Sequence, residues 1–211
     1  MKKYELTTDT KTVLGKKLFR IKALISFGDV KAGDLGGYIE SENNLSHDNN
    51  AWVCGNAKVY GDAKVYGNAW VYGNAWVYGD AQVYGDAQVY DDAKVYGDAR
   101  VYDDARVYGN AWVCGDAQVY GNAWVCDDAQ VYGNADYTTI KGFGSKYRNT
   151  TFFRCKDKSI GVRCGCFYGT LDEFRTKVKE THKDTKFAKE YLMIADLMEC
   201  HFNSERKETD E

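Results

Sequence analysis

Three histidines, seven cysteines and a run of aspartates are the residues whose types suit catalysis or metal binding. His47 is followed by Asp48, so an imidazole base with a carboxylate to orient it could form there. Cys155, Cys164 and Cys166, with Cys200 or His201, offer enough ligands for zinc, yet the spacing C-x8-C-x-C matches no strong zinc pattern. Alternation along a strand pair places all three on an inward face, where they serve as small core residues. Asp62, Asp80, Asp98 and Asp116 recur every 18 residues. Stacked at strand spacing, their carboxylates would lie within about 5 Å of one another, a geometry that repels unless a cation such as calcium intervenes. Asp alternates freely with Asn at equivalent positions, however, as turn chemistry requires. No metal or cofactor is expected, and His47 is the one candidate base; no other residue is assigned to catalysis.

A second set suits binding instead: Trp70, Trp76, Trp112 and Trp124, with Lys94 and Arg106. Flat aromatics beside a cation suit a nucleobase and its phosphate. Whether these six share a surface depends on the elements that carry them. From Val53 to Val131 valine recurs every six residues without a slip, giving fourteen hexads. In GNAWVYGNAWVYGDAQVYGDAQVY, Ala, Val and Tyr stay fixed, while one position wanders between Trp and Gln. A period of six fits neither a 3.6-residue helix nor a long alternating strand; it fits a very short strand and a tight bend, repeated. Val with its large neighbours is strand material, and Gly-Asn or Gly-Asp tolerates the positive φ of a bend.

Three hexads make one triangular coil, so the run predicts about 4.7 coils stacked as parallel strands, in a prism roughly 22 Å long. Val and Ala fill the interior, and the wandering residue decorates the outside. Sorted by threes, that position gives three columns. One holds Trp52, Trp70, Gln88, Arg106 and Trp124; the next holds Lys58, Trp76, Lys94, Trp112 and Gln130. The third holds Lys64, Gln82, Arg100, Gln118 and Asp136, without a tryptophan. Two adjacent aromatic faces and one polar face predict that the aromatic pair is buried against something.

Val71-Tyr72-Gly73-Asn74-Ala75-Trp76 resembles the motif of hexapeptide-repeat proteins except for Tyr at its second place. That resemblance implies a left-handed parallel β-helix and a homotrimer. Its best-known activity is acyl or acetyl transfer from a histidine base in a groove between subunits. No histidine lies within the fourteen hexads and no loop interrupts them, so this activity is kept only as an alternative. The N-terminal part resembles hexapeptide-repeat proteins of bacteria and their phages.

The expected organisation is mainly β. An N-terminal β cap covers 1–37, the hexapeptide-repeat β-helix 38–137, a small α+β domain 138–203 and a disordered tail 204–211. In the third segment a hairpin around Lys156-Asp157-Lys158-Ser159 has Phe153 and Cys155 alternating on one strand and Ile160, Val162, Cys164 and Cys166 on the other. Thr170 caps a first helix with Glu173 as its capping-box partner. A second helix carries Phe187, Tyr191, Ile194, Leu197 and Met198 on one apolar face. Proline is absent, as long stacks of paired strands favour.

Net charge is −3, made of +1 over 1–50, −7 over 51–137 and +3 over 138–211, which argues against generic DNA binding. No apolar run reaches the roughly 18 residues of a membrane span, and the basic start has no apolar stretch behind it. Seven cysteines, an odd number, then read as reduced thiols in a cytoplasm. The function expected is a non-catalytic, homotrimeric binding protein, of phage type, sequestering a nucleotide-like small molecule or a host protein. A self-assembling structural protein is the remaining alternative.

Overall fold

The computed structural model describes residues 1–203; the tail 204–211 lies outside the described residues. Two compact units divide at Asn134/Ala135.

The first unit is a parallel β-solenoid of about five turns with an N-terminal hairpin. Among the described residues, fourteen two-residue strands run from β4 (Trp52–Val53) to β17 (Gln130–Val131), each followed by a turn. Strands eighteen residues apart pair in parallel, as in Trp70 with Gln88 and Val71 with Val89. Every repeat valine and alanine from Ala51 to Val131 is buried, at no more than 1% exposure. This dry Val/Ala column is the main favourable term, at about 25 cal/mol per Å² removed from water. Bends need positive φ: Gly73 has φ +70, and a Cβ there would stand 2.8 Å from the Asp91 amide of the next coil.

Three sheets form the faces, and they reproduce the columns read from the sequence with one exception. Asp136, expected as the fifth outward residue of the polar column, is not in a sheet. It lies in a short 3-10 turn of the second unit, 2% exposed, and accepts from Arg154 Nε at 3.3 Å. The hexad pattern ends at Val131, so strand geometry no longer turns that position outward.

The eight-stranded face continues beyond the coils. Strands β1 (Tyr4–Val13), β2 (Lys16–Ala23) and β3 (Leu35–Ile39) are antiparallel, and β3 then pairs in parallel with Lys58–Val59. The open end of the first coil is closed by buried polar side chains. Lys3 Nζ donates to the carbonyls of Ala51 (2.8 Å), Asn49 (3.3 Å) and Asp48 (3.4 Å). Tyr4 donates to the Leu45 carbonyl at 2.7 Å, and Asn44 Nδ2 to those of Gly61 and Ala63, each at 2.9 Å. Carbonyls that would otherwise face the apolar interior unpaired are thereby satisfied.

In the second unit β18 (Tyr137–Phe143), β19 (Arg148–Arg154), β20 (Ile160–Cys164) and β21 (Phe167–Thr170) form an antiparallel sheet. Helices α1 (Leu171–His182) and α2 (Lys186–Asn203) pack on it. Thr170 and Glu173 form the expected capping box. The expected hairpin face is off by one residue: Phe152, not Phe153, lies opposite Val162 and joins the helix-facing core. Both phenylalanines are fully buried, so alternation alone could not choose between them. On α2, Leu197 is 61% exposed, while Ala188, Ala195 and Phe202 complete the buried stripe with Tyr191, Ile194 and Met198. Among the described residues, no helix is long and apolar enough to cross a membrane.

Candidate functional site

The six expected site residues form two columns on neighbouring faces of the solenoid. Trp76, Lys94 and Trp112 share one face, and Trp70, Arg106 and Trp124 share the next. All six are half-buried. Cations lie on the indoles of their own column: Lys58 Nζ is 4.8 Å from the Trp76 ring centre, Lys94 Nζ 4.7 Å from Trp112, and the Arg106 guanidinium 5.0 Å from Trp124. Such contacts stabilise by about 0.5–1 kcal/mol at exposed sites. Burial lowers the Lys58 ammonium from its ordinary value, with Lys11 adding repulsion.

The wandering position has a local cause. At several coils this residue meets a tyrosine sixteen places earlier. Where it is Gln, the tyrosine hydroxyl donates to it, as in Tyr66–Gln82 (3.1 Å), Tyr72–Gln88 (3.4 Å) and Tyr102–Gln118 (3.5 Å). Where it is Trp, the rings meet edge to face: Tyr60–Trp76 at 6.2 Å and Tyr96–Trp112 at 6.3 Å. The tyrosines themselves stack in three ladders, with centroids 4.8–5.2 Å apart in pairs such as Tyr66–Tyr84, Tyr72–Tyr90, Tyr78–Tyr96 and Tyr102–Tyr120. Burial raises Tyr60 and Tyr90 to about 12 and also pushes up Tyr66, Tyr72 and Tyr78.

The indoles are not equally available. Trp52 is 2% exposed, covered edge-on by Tyr4 and Phe27 of the cap. Trp76 packs against the cluster of Leu18, Tyr38 and Tyr60, so the cap hairpin shields part of it. Trp70 and Trp112 are half-buried outside that cluster.

The other candidates are structural in their surroundings. His47 does not use Asp48 as its orienter; its Nδ1 accepts from the Lys3 amide at 3.2 Å and its ring stacks on Tyr4 at 4.3 Å. Glu42 Oε2 stands 3.6 Å from its Nε2. The imidazole therefore fastens β1 to the first coil. The three cysteines do not share a face. Cys155 is buried beside Phe153, Cys164 faces the helices, and Cys166 is exposed in the two-residue turn after β20. That turn, with Gly165 at φ +59, ends the alternation that put Cys166 inside. Among the described residues, no group of three or more His, Cys, Asp or Glu could hold a metal ion. Bend residues in mixed columns bond along the axis, as Asn68 Nδ2 to Asp86 Oδ1 and Asn74 Nδ2 to Asp92 Oδ1, both 3.1 Å.

Sequence reasoning missed a cavity of about 380 Å³ in the second unit, between the sheet and the two helices. Its residues come from three strands, both helices and two turns, and no short motif joins them.

Stacked parallel coils of fixed length around a Val/Ala core define a β-solenoid repeat protein. A family model described as the YdcK beta solenoid repeat matches residues 63–79 and 99–115, two windows that each span about one coil. No curated protein matches the chain.

Proposed function

We propose that this protein is a non-catalytic binding scaffold that uses its two tryptophan-bearing faces as recognition surfaces. The observation that carries the reading is their asymmetry. Two adjacent faces hold half-buried indoles with Lys94 or Arg106 upon them, while the third offers Tyr–Gln hydrogen bonds and the exposed Lys64 and Arg100. Two unlike faces on a three-sided prism suit a heterologous contact, face to neighbouring face, which closes as a ring of three. In such a homotrimer each groove combines Lys94 and Trp112 of one copy with Arg106 and Trp124 of the next. Indoles and cations together take a planar anion of the nucleotide kind. A hexapeptide-type, left-handed winding and a bacterial or phage cytoplasm fit this role of sequestering a host signal. Acyl transfer draws no support from His47, whose ring is taken up by Lys3 and Tyr4.

Sedimentation velocity on three proteins tests the reading. The parent and Gln82→Ala/Gln118→Ala should sediment as trimers, and Trp112→Gln/Trp124→Gln as a folded monomer. Equal behaviour of the two double variants would overturn it.

A further inference from the structure

We propose that the second unit carries a separate binding site for a small organic anion, with an apolar body and a carboxylate or phosphate head. The cavity holds about 380 Å³, at the small end of the roughly 300–1,000 Å³ typical of ligand pockets. Its floor is aromatic: the Phe174 ring lies 5.6 Å from Phe167 and 5.5 Å from Tyr191, with Val178 beside them. Polar atoms at the floor are already engaged. Tyr191 donates to the Phe143 carbonyl at 3.3 Å, and Cys164 Sγ accepts from Thr150 Oγ1 at 3.1 Å. Such a floor takes a hydrocarbon or ring.

The rim is basic. Lys146, Arg148 and Lys177 line the cavity, and no carboxylate does. Among the described residues, neither Lys146 nor Arg148 forms an ion pair. Lys177 has only an exposed pairing with Glu180 at 3.4 Å. Glu190, whose charge is felt by Tyr191, is occupied by the Gly144 amide and Lys186. Unneutralised cations above an apolar floor attract a ligand built the same way, head outward and body in. This juxtaposition is independent of the solenoid faces.

Titration calorimetry on the full chain with decanoate, octyl phosphate and decanol tests it. One anion should bind per chain, with decanol at least tenfold weaker; the tighter of the two anions identifies the head group. Lys146→Gln/Arg148→Gln changes only exposed side chains and should weaken binding about tenfold, whereas Trp112→Gln/Trp124→Gln should leave it unchanged. Bound anion should also slow alkylation of Cys166 at the cavity edge relative to exposed Cys200. Absence of saturable binding, equal affinity for decanol, or an unaffected Lys146/Arg148 variant would overturn the proposal.

Discussion

Where a tyrosine stands sixteen residues earlier in the chain, a glutamine and a tryptophan can exchange because both satisfy that same neighbour. The hydroxyl of Tyr66 finds Gln82, and the ring of Tyr60 finds the edge of Trp76. Stability is therefore nearly indifferent to the choice, and Trp112→Gln should change the unfolding free energy by less than about 1 kcal/mol. Tyr84 is different, being stacked on Tyr66 at 4.8 Å and on Tyr102 at 5.0 Å. Each cross-strand pair contributes roughly 0.2–1 kcal/mol, so losing both with Tyr84→Ala should cost about 0.4–2 kcal/mol in urea melts. The outward direction of the wandering residue was legible in the sequence. That Trp52 lies under Tyr4 and Phe27 was not, because contacts from the cap have no signature in the hexads.

Among the elements, the bends and the tyrosine ladders are the constraints that repeat. Gly73→Val would force a β-branched side chain to φ +70 and into the next coil, at a cost of about 1–3 kcal/mol for the backbone alone. Asp91 already occupies the equivalent bend at φ +57, so in thermal melts Asp91→Gly should be close to neutral beside Gly73→Val. The ladders predict an alkaline limit. Tyrosines whose folded pKa is raised above an ordinary value near 10 contribute stability that is whole below pH 10 and is lost as pH climbs through the folded values. Tyr60 and Tyr90 stand at about 12, so the melting temperature should fall steeply between pH 10 and 12. Phenolate absorbance should rise together with unfolding; full ionisation of a still-folded protein near pH 10 would refute this. Short strands and bends were readable because the period of six admits few alternatives. The β19–β20 hairpin was readable in period but not in phase, since Phe152 and Phe153 both fit an interior.

For the molecule as a whole, the solenoid needs an end that its own repeat cannot supply. Lys3, Tyr4 and Asn44 meet the carbonyls of the first coil, and burial lowers the Lys3 ammonium to about 8 despite the nearby Asp48. Lys3→Met should leave the Ala51 carbonyl unpaired and cost about 1–3 kcal/mol. Removing residues 1–37 should expose an unpaired parallel edge and give aggregates on gel filtration. The need for a cap was legible in the sequence, but the buried lysine that completes it was not, since a lysine at position 3 looks like any basic N-terminus. The proposed function has the two unlike aromatic faces drive assembly into a trimer, and native mass spectrometry reads that directly. The protein should fly at three times the 23.8 kDa chain mass, with retained small-molecule mass that is absent from Trp112→Gln/Trp124→Gln. A bare monomer of the parent protein, or a trimer that survives loss of both indoles, would contradict it.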